Sequence, residues 1–450
     1  MSVQGETIAA IATPPGPGGI GIIRLSGAGA GVASLAACLL GRPPRPRHAH
    51  YCAFTDATGA VLDRGLLLHF PAPHSFTGED VLELQVHGSP VMLRCLLERC
   101  IALGARHARP GEFSERAFLN GKIDLAQAEA IADLIASGSE AAARAAVRSL
   151  EGDFSRQVHA LAEGVVRLRV WIEAAIDFPE EEVDFLADPA VLGDLERLRD
   201  QLDDILAASR RGVRLLDGLH VVIIGRPNAG KSSLLNRLAA SERAIVTEIP
   251  GTTRDVLRET IHLDGIALTL VDTAGLRESA DPIEMEGMRR ARAELERADL
   301  AVLVSDDAHA ESDLGLLDAL PASAPRIVVH NKIDLDGQPA RRAQLDGETH
   351  LWLSARRGEG LPLLIETLKA AVDPAESASG AFTARARHVA ALQRAAEGLE
   401  AARLALTTQR AGELAAEELR GVQRELGAIT GEFSNEDLLG RIFADFCIGK

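Results

Sequence analysis

The sequence predicts an α/β fold combined with an all-α part: an N-terminal α/β domain, then a helical domain that is interrupted by a second, inserted α/β domain. Short β-like runs alternate with helix-like runs at the start of the chain and again in its middle. Apolar residues at helical spacing occupy the segments before and after the middle part. The chain has 450 residues, too many for one compact core, so several domains are expected.

Residues 1–118 are predicted to form a small α/β domain. Four β-forming runs, TIAAIAT, GIGIIRL, GLLLHF and VLELQVHG, are bounded by turn signals such as PPGPGG and FPAPHSFTG. The Ala- and Leu-rich stretches between them are typical of helices. A basic, proline-rich stretch, GRPPRPRHAH at 41–50, has two interpretations, a local patch for a polyanion or a solvated loop.

Helical spacing dominates residues 119–216 and 379–450. In the first segment, apolar residues recur in steps of three and four along one predicted long helix, which ends at Phe178 and Pro179. These residues are Val147, Leu150, Phe154, Val158, Leu161, Val165, Leu168 and Ile172. A second predicted helix carries Leu192, Leu195, Leu198, Leu202 and Ile205. Since each apolar stripe needs a partner, the two segments are predicted to form one domain, with residues 217–378 inserted between them.

Composition and charge exclude several classes of protein. The net charge of -17 argues against indiscriminate nucleic-acid binding, because phosphate contacts need clustered cations. The five cysteines lack C-x-x-C spacing, which argues against a zinc site or a disulfide framework and predicts free, mostly buried thiols. No apolar run approaches the length of a membrane span, and the first residues do not resemble a secretory signal, so a cytoplasmic protein without a membrane span is expected.

A phosphate-binding loop is predicted at the start of the inserted domain. An apolar β-run leads into G-x-x-x-x-G-K-S, from Gly225 to Ser232, and a helix-like segment follows. In this context backbone N–H groups and the helix N-terminus surround phosphates, while Gly225 and Gly230 permit the tight path. Lys231 supplies a cation near the β- and γ-phosphates, and Ser232 a hydroxyl for Mg²⁺. The candidate nucleotide-binding residues here are Asn228, Ala229, Gly230, Lys231, Ser232 and Ser233.

Two downstream motifs are typical of segments that close over the γ-phosphate. PGTTRD offers the hydroxyls of Thr252 and Thr253 to Mg²⁺ and the phosphate. LTLVDTAG places Asp272 at the end of an apolar strand, where it can hold Mg²⁺ through water, and Gly275 where its N–H can meet the γ-phosphate. The candidate residues from these segments are Thr247, Glu248, Ile249, Pro250, Gly251, Thr252, Thr253, Asp272, Thr273, Ala274 and Gly275.

RIVVHNKID and WLSARRGEG predict a guanine site. The Asp334 carboxylate can accept hydrogen bonds from the N1–H and the exocyclic amine of guanine, a donor pair that adenine lacks. The second motif, WLSARRGEG, has the position of the last loop of such a site, which usually packs behind the guanine. The candidate residues are Asn331, Lys332, Asp334, Ser354, Ala355 and Arg356. The order of the motifs therefore predicts that the inserted domain is a P-loop (Ras-like) GTPase domain.

The strings GRPNAGKSS, PGTTRD, DTAGLRE and NKID resemble Era-like GTPases. More narrowly, GIGIIRLSG, FTGEDVLELQ, ERAFLNGKIDLAQAEA and the terminal FCIGK resemble the tRNA modification GTPases of the MnmE (TrmE) family, along essentially the whole chain. The resemblance implies a homodimer that acts on tRNA in a heterotetramer with an FAD-dependent partner, MnmG (GidA). It also implies that a one-carbon unit from 5-formyl- or methylene-tetrahydrofolate reaches C5 of the wobble uridine, position 34, as an aminomethyl or carboxymethylaminomethyl group.

The resemblance further implies site residues in the N-terminal domain, as a folate-binding and dimerisation domain, and in the terminal C-I-G-K motif. Arg24, Glu83, Lys122 and Lys450 match the family's folate-contacting positions. Without the resemblance, all four are surface charges. Cys447 keeps two interpretations: a thiolate that attacks the uracil ring, with a pKa lowered by Lys450, or a core cysteine.

Leu276 stands where many GTP-hydrolysing enzymes carry a glutamine that orients water, and its side chain cannot form a hydrogen bond. The resemblance implies that K⁺ offsets the phosphate charge once two GTPase domains dimerise. The implied K⁺ ligands are Asn228, Thr247, Ile249 and Thr252, and the Mg²⁺ ligands are Ser232 and Thr253. Glu284 corresponds to the family's catalytic glutamate, acting through a bridging water. From the residues alone, Glu284 is an exposed glutamate at a helix start.

Two other functions fit the GTPase motifs. An Era-like RNA-binding or ribosome-assembly switch performs no covalent chemistry and usually carries an RNA-binding module after the GTPase domain. A mechanical dimerising GTPase would keep the K⁺ dependence without a folate site. Binding of 5-formyl-tetrahydrofolate separates both from the function that the resemblance implies.

Overall fold

The chain forms two compact units. The computed structural model describes residues 5–177, 189–217, 219–226, 228–239, 244–246, 258–263, 266–272, 299–306, 313, 325–345, 347–371, 382–432, 439–440, 442–443, 446 and 449. Unit 1 comprises Met1–Ala132, Leu150–Leu195 and Glu397–Lys450, and unit 2 comprises Asp133–Ser149 and Glu196–Ala396. The domain boundaries near residues 118, 216 and 378 stay predictions.

Helices occur in both units. In chain order the described helices are α1 (Ala30–Leu40), α2 (Pro90–Ala102), α3 (Glu112–Leu119), α4 (Leu125–Ala136), α5 (Glu140–Leu150), α6 (Asp153–Asp177), α7 (Pro189–Asp217), α8 (Lys231–Ala239), α9 (Ile333–Asp336), α10 (Leu361–Ala371), α11 (Ala386–Leu404) and α12 (Gly412–Thr430). A π-helical turn, Ala405–Gln409, follows α11.

Six described strands of unit 1 form a mixed sheet in the order β3-β4-β5-β2-β1-β6. They are β1 (Ile8–Ile11), β2 (Gly18–Gly27), β3 (His50–Thr55), β4 (Val61–Phe70), β5 (Asp80–Gly88) and β6 (Arg106–His107). The four strands that the sequence predicted are confirmed as β1, β2, β4 and β5. The sequence prediction missed β3, an edge strand that the sheet holds in place by antiparallel pairing with β4.

Helices α1 and α2 cover one face of this sheet. Leu25 of β2 and Leu84 of β5 are fully buried against them. Because successive side chains of a strand point to opposite faces, Arg24 and Glu83 project from the other face, where both are only partly buried. The alternation therefore separates an apolar core from a polar pair on neighbouring strands.

The helical part of unit 1 pairs α6 with α12. The two helices run antiparallel, since Arg169 Nη1 donates to Gln423 Oε1 (2.6 Å) and His159 Nδ1 lies 3.5 Å from Glu432 Oε1. The predicted stripe is buried on α6 at Phe154, Val158, Leu161, Val165, Leu168 and Ile172. Segments from both sides of the insertion therefore share one helical domain, as predicted.

The prediction of one continuous helix through residues 147–172 is wrong. The chain ends α5 at Leu150 and begins α6 at Asp153. Gly152 takes a φ of +86° between them, a conformation that terminates a helix and that glycine adopts without strain. As a result Val147 lies on a separate helix and is 39% exposed.

The prediction of mostly buried cysteines is wrong for the described residues. Cys100 is buried, Cys52 and Cys95 are partly buried, and Cys38 is exposed, although all four are free thiols as predicted. The basic stretch at 41–49 forms an exposed loop without helix or strand. Separately, no helix in the described part of the chain combines the length and the apolar character that a bilayer crossing requires.

Eight described strands of unit 2 form the second sheet, in the order β13-β14-β12-β11-β7-β10-β9-β8. They are β7 (Leu219–Ile224), β8 (Ala244–Val246), β9 (Arg258–Leu263), β10 (Ile266–Asp272), β11 (Leu300–Asp306), β12 (Arg326–Asn331), β13 (Arg341–Leu345) and β14 (Glu348–Leu353). The neighbours among β14, β12, β11, β7 and β10 are parallel. Their carboxyl ends share one edge, where ligands bind in open α/β sheets, and the predicted motifs follow the ends of β7, β10, β12 and β14.

Candidate functional site

The loop between β7 and α8 has the geometry of a phosphate-binding loop. Gly225 and Gly230 take φ values of +151° and +101°. A Cβ at Gly225 would collide with the carbonyl oxygen of Val304, and one at Gly230 would collide with the side-chain nitrogen of Asn331. Both positions therefore exclude a side chain, which confirms the role that the sequence predicted for these glycines.

Helix α8 begins directly at Lys231, so its first N–H groups face the loop. The buried Lys231 Nζ donates to the carbonyl oxygens of Gly225 (2.8 Å) and Arg226 (3.1 Å), which holds the ammonium over the loop. Ser232 and Ser233 are exposed in the first turn of the helix. The elements thus place a cation, a helix N-terminus and hydroxyl groups together, as anion and Mg²⁺ binding requires.

Asn331 joins this loop to a second one. The residue ends β12 and is 5% exposed. Its Nδ2 donates to the carbonyl oxygen of Ala229 at 2.8 Å, and its Oδ1 accepts from the backbone N–H of Ala355 at 2.9 Å. A buried carboxamide with both ends bonded fixes its neighbours. The sequence predicted nucleotide contact for Asn331 and did not predict this bracing role, because no local pattern relates these three positions.

Asp334 and Ser354 meet beside Asn331. Ser354 Oγ donates to Asp334 Oδ1 at 2.6 Å. This hydrogen bond is the main reason that the pKa of the Asp334 carboxyl is lower than its ordinary value. Asp334 therefore stays ionised at neutral pH and acts only as an acceptor, which suits the two N–H donors of guanine.

The other residues of the two guanine motifs lie nearby. Lys332 takes a φ of +71° between β12 and α9, and its Nζ lies 3.2 Å from Asp306 Oδ2. Ala355 is buried, whereas Arg356 is exposed and its carbonyl oxygen accepts from Arg237 Nη2 at 3.2 Å. The structure thus brings the phosphate motif and the two base motifs to one edge of the sheet.

Other predicted residues of this site lie partly or wholly outside the described residues. Asp272 is described by its backbone, which ends β10 in register with Ile223 of β7. Asn228 is exposed with a φ of +65°. The residues outside the described ranges are Thr247, Glu248, Ile249, Pro250, Gly251, Thr252, Thr253, Thr273, Ala274, Gly275, Leu276 and Glu284.

A second cluster of predicted residues lies in unit 1. Arg24 and Glu83 stand opposite each other on β2 and β5, with Arg24 Nη2 3.0 Å from Glu83 Oε1. The Arg24 guanidinium carbon is 5.9 Å from the ring centroid of Phe76 and 6.0 Å from that of Phe113. Aromatic rings at such distances stabilise a guanidinium. Sequence reasoning missed both rings, because nothing in their local sequence marks them.

Lys122 and Gly449 complete this cluster. A Cβ at Gly78 would lie 3.2 Å from Lys122 Cγ, so the aliphatic part of Lys122 lies close to the Gly78 backbone. Arg24 Nη1 lies 3.5 Å from the carbonyl oxygen of Gly449, and Phe446 is buried with Leu125 and Phe443. Gly449 of the terminal motif therefore lies beside Arg24. Cys447 and Lys450 lie outside the described residues.

In a comparison with known proteins, two family models match successive parts of the chain. Residues 7–122 match the model of the GTP-binding protein TrmE N-terminus, and residues 125–447 match the MnmE helical domain. Among solved structures, the G domain of the T. maritima FeoB iron transporter is 26% identical and covers 34% of this chain and 98% of that chain. Its TM-score of 0.26 is too low to support any conclusion.

Curated relatives match the chain along its full length. A tRNA modification GTPase MnmE of Pseudomonas syringae is 56% identical over 100% of both chains. Those of Methylococcus capsulatus and Hydrogenovibrio crunogenus are 55% and 54% identical over 99% of each chain. With two matching family models and these identities, the chain belongs to the MnmE family of tRNA modification GTPases.

Proposed function

We propose that this chain hydrolyses GTP to drive the addition of an aminomethyl or carboxymethylaminomethyl group to C5 of the wobble uridine, position 34, of certain tRNAs. The observation that carries the proposal is the assembly of the phosphate loop, Asn331 and Asp334 at one edge of a parallel sheet in a member of this family. The relatives' name, tRNA modification GTPase, supports tRNA as the substrate.

The nucleotide would be held at both ends. The loop from Gly225 to Gly230 and the N-terminus of α8 would surround the phosphates, with Lys231 as the point charge. The ionised Asp334 would accept from guanine, and an adenine would leave that carboxylate unpaired, which is costly. This pair of contacts supports GTP, and not ATP, as the substrate.

The residues present fit two cations. Ser232 offers an exposed hydroxyl at the start of α8, and oxygen ligands of this kind suit Mg²⁺, with Thr253 proposed as a second ligand. Asn228, which lies within the phosphate loop, has an exposed carboxamide, whose oxygen suits K⁺. When bound, K⁺ supplies positive charge against the phosphates. The further proposed K⁺ ligands are Thr247, Ile249 and Thr252, and Glu284 is proposed to orient water.

The cluster around Arg24 fits a tetrahydrofolate derivative. Arg24 and Glu83 largely neutralise each other, which leaves the Lys122 ammonium to attract an acidic tail. Glu83 Oε2 offers acceptor capacity to the N–H groups of a pterin, and Phe76 offers a ring that is 37% exposed. When bound, the folate supplies the one-carbon unit. Lys450 is proposed to join this site, and Cys447 to act on the uracil ring.

We propose two protein partners. One is a second copy of this chain, supported by Tyr51, which is 70% exposed and lies on the sheet face of unit 1 that α1 and α2 leave uncovered. The other is the FAD-dependent MnmG, with which the homodimer would form a heterotetramer. The cytoplasm, where tRNA is modified, is the proposed compartment.

Mass spectrometry of tRNA from cells that lack this gene tests the proposal. We expect the C5 group of uridine 34 to disappear and to return when the gene is restored. Persistence of the group in the deletion strain would exclude the proposed reaction. Equilibrium dialysis of the full chain with 5-formyl-tetrahydrofolate separates the proposal from a GTPase switch without covalent chemistry, because only the former requires folate binding.

A further inference from the structure

A largely buried carboxylate with two hydrogen-bond partners lies near the Arg24 cluster. Glu79 directly precedes β5, and its side chain is 11% exposed. Glu79 Oε2 accepts from Ser26 Oγ at 2.8 Å and from Arg116 Nη1 at 2.8 Å. Ser26 lies on β2, two residues from Arg24, and Arg116 lies on α3. One oxygen atom thus connects the loop before β5 to a strand and a helix.

Neighbouring residues tie the same loop at other points. Thr77 Oγ1 and Ser26 Oγ share a hydrogen bond of 2.7 Å, and both residues are fully buried. Asn120 Nδ2 donates to the carbonyl oxygen of Thr77 at 2.7 Å, and Ser75 Oγ donates to the carbonyl oxygen of Glu79. The path of residues 75–79 is therefore fixed by one buried and several partly buried hydrogen bonds, and the buried one is costly to leave unmade.

This loop carries two of the groups that surround the proposed folate site. Phe76 flanks the Arg24 guanidinium at 5.9 Å, and the Gly78 backbone lies close to the aliphatic part of Lys122. A shift of the loop would move the ring away from Arg24 and remove the support beneath Lys122. Both cations therefore lie next to loop groups whose positions depend on these bonds.

We propose that Glu79 is a positioning residue of the folate site: by binding Ser26 and Arg116 together, its carboxylate holds residues 75–79 so that Arg24 and Lys122 are oriented for the ligand. The inference rests on the proposed function, because folate is the ligand in question. Glu79 acts through these residues and through the loop, and it is not assigned a contact with the folate.

Glu79→Gln tests the role without deleting the side chain. The amide keeps the shape of the carboxylate and loses its charge. Arg116 stays partnered in this variant, because its Nη2 lies 3.1 Å from Glu112 Oε1 and its Nη1 donates to the carbonyl oxygen of Glu6 at 3.0 Å. We therefore expect the variant to fold, with hydrogen-exchange protection of β2 and β5 and GTP turnover as in the wild type.

The measurement is the dissociation constant of 5-formyl-tetrahydrofolate for the full chain, by equilibrium dialysis. We expect Glu79→Gln to weaken binding about tenfold, because a neutral amide oxygen accepts hydrogen bonds from Ser26 and Arg116 less strongly than the carboxylate does and holds the loop less firmly. Glu115→Gln is the matched control, since Glu115 also pairs with an arginine, Arg109, at 2.8 Å in the same unit. The control should leave the dissociation constant unchanged. Wild-type affinity in Glu79→Gln would overturn the inference.

A double-mutant cycle distinguishes positioning from general destabilisation. Lys122→Met keeps the aliphatic stem and removes the ammonium. If Glu79 acts by orienting Lys122 and Arg24, then Glu79→Gln should weaken folate binding clearly less in the Lys122→Met background than in the wild type. Equal losses in both backgrounds would overturn the positioning role. If Glu79→Gln loses hydrogen-exchange protection in β2, the Ser26→Ala variant is measured instead. We expect Ser26→Ala to bind 5-formyl-tetrahydrofolate several-fold more weakly than the wild type. Unchanged affinity in Ser26→Ala would contradict the inference.

The outcomes separate this inference from the proposed function. A wild-type chain that binds no 5-formyl-tetrahydrofolate would refute the folate site itself. A different result would refute only the role of Glu79 and keep the folate site. In that case the wild-type chain binds the folate, Lys122→Met binds it more weakly, and Glu79→Gln binds it as tightly as the wild type.

Discussion

Asn331 holds the phosphate-binding loop directly, because its Nδ2 donates to the carbonyl oxygen of Ala229 at 2.8 Å. Its Oδ1 binds the opposite loop at the N–H of Ala355. Both bonds are buried, so the phosphate loop and the loop after β14 are linked through one carboxamide. Nucleotide affinity should therefore depend on Asn331 even if that residue touches no atom of GTP.

Asn331→Ala removes both bonds and leaves the Ala229 carbonyl and the Ala355 N–H unsatisfied, at a cost of about 1–3 kcal/mol each. We expect the affinity for GTP to fall at least about tenfold, measured by titration with a fluorescent GTP analogue. Asn236→Ala, an exposed position on α8, is the control and should bind normally. Normal affinity in Asn331→Ala would show that the link is dispensable.

Asp334→Asn should change the base that the site accepts. The variant replaces one acceptor oxygen by a donor, which no longer matches the guanine amine and instead matches the carbonyl of xanthine. We expect the preference to move from GTP to xanthosine triphosphate in a competition experiment. Asp336→Asn, exposed two residues further along, should keep the preference for GTP. An unchanged preference in Asp334→Asn would place the base elsewhere.

Glu112 should stabilise unit 1 in a pH-dependent way. Burial would raise the pKa of this carboxyl, but hydrogen bonds from the Arg106 side chain, the Arg109 N–H and the Arg116 side chain lower it to about 2 from an ordinary value of 4.5. Since the folded-state pKa is the lower one, the stabilisation is complete above pH 4.5 and is lost as the pH falls towards 2.

We expect Glu112→Gln to lower the free energy of opening of β1 by about 2 kcal/mol at pH 7. The difference from the wild type should shrink as the pH is lowered through this range. Hydrogen exchange of the β1 amides at several pH values measures both effects. Glu115→Gln, whose partner Arg109 is largely exposed, should change little. A pH-independent difference would contradict the assignment of the pKa.

GTP turnover should require K⁺. At equal ionic strength we expect at least about a tenfold higher rate in K⁺ than in Na⁺, because the proposed oxygen ligands around Asn228 must match the size of the ion. GTP affinity, measured in both salts, is the control and should change far less than the rate. Equal turnover in K⁺ and Na⁺ would remove the cation from the mechanism.

Glu284→Ala should abolish hydrolysis and leave GTP binding intact, since the glutamate is proposed to orient water and not to bind the nucleotide. Single-turnover kinetics in saturating K⁺ measures the first effect, and equilibrium titration the second. Glu286→Ala, in the same DPIEMEG segment, is the matched control. Undiminished turnover in Glu284→Ala would exclude this residue from catalysis.

Local patterns predicted much of the fold. The strands β1, β2, β4 and β5, the buried stripe of α6 and the loop from Gly225 to Ser232 each depend on neighbouring residues, so their alternation, spacing or motif shows in the sequence. Two errors arise because local patterns were the only guide. Apolar spacing alone predicted one continuous helix through Gly152, where the chain ends one helix and begins another. The edge strand β3 was missed because it depends on pairing with its partner strand.

The positions of the predicted phosphate and guanine motifs can be read from the sequence alone, because these motifs are contiguous and each follows a recognisable strand. The folded chain, by contrast, brings Asn331 to Ala229, joins Ser26 to Arg116 through Glu79, and places Gly449 beside Arg24, 425 positions away in the chain. The physical reason is that such bonds depend on how distant segments are brought together, and no short stretch of sequence encodes the partner that its side chains will find.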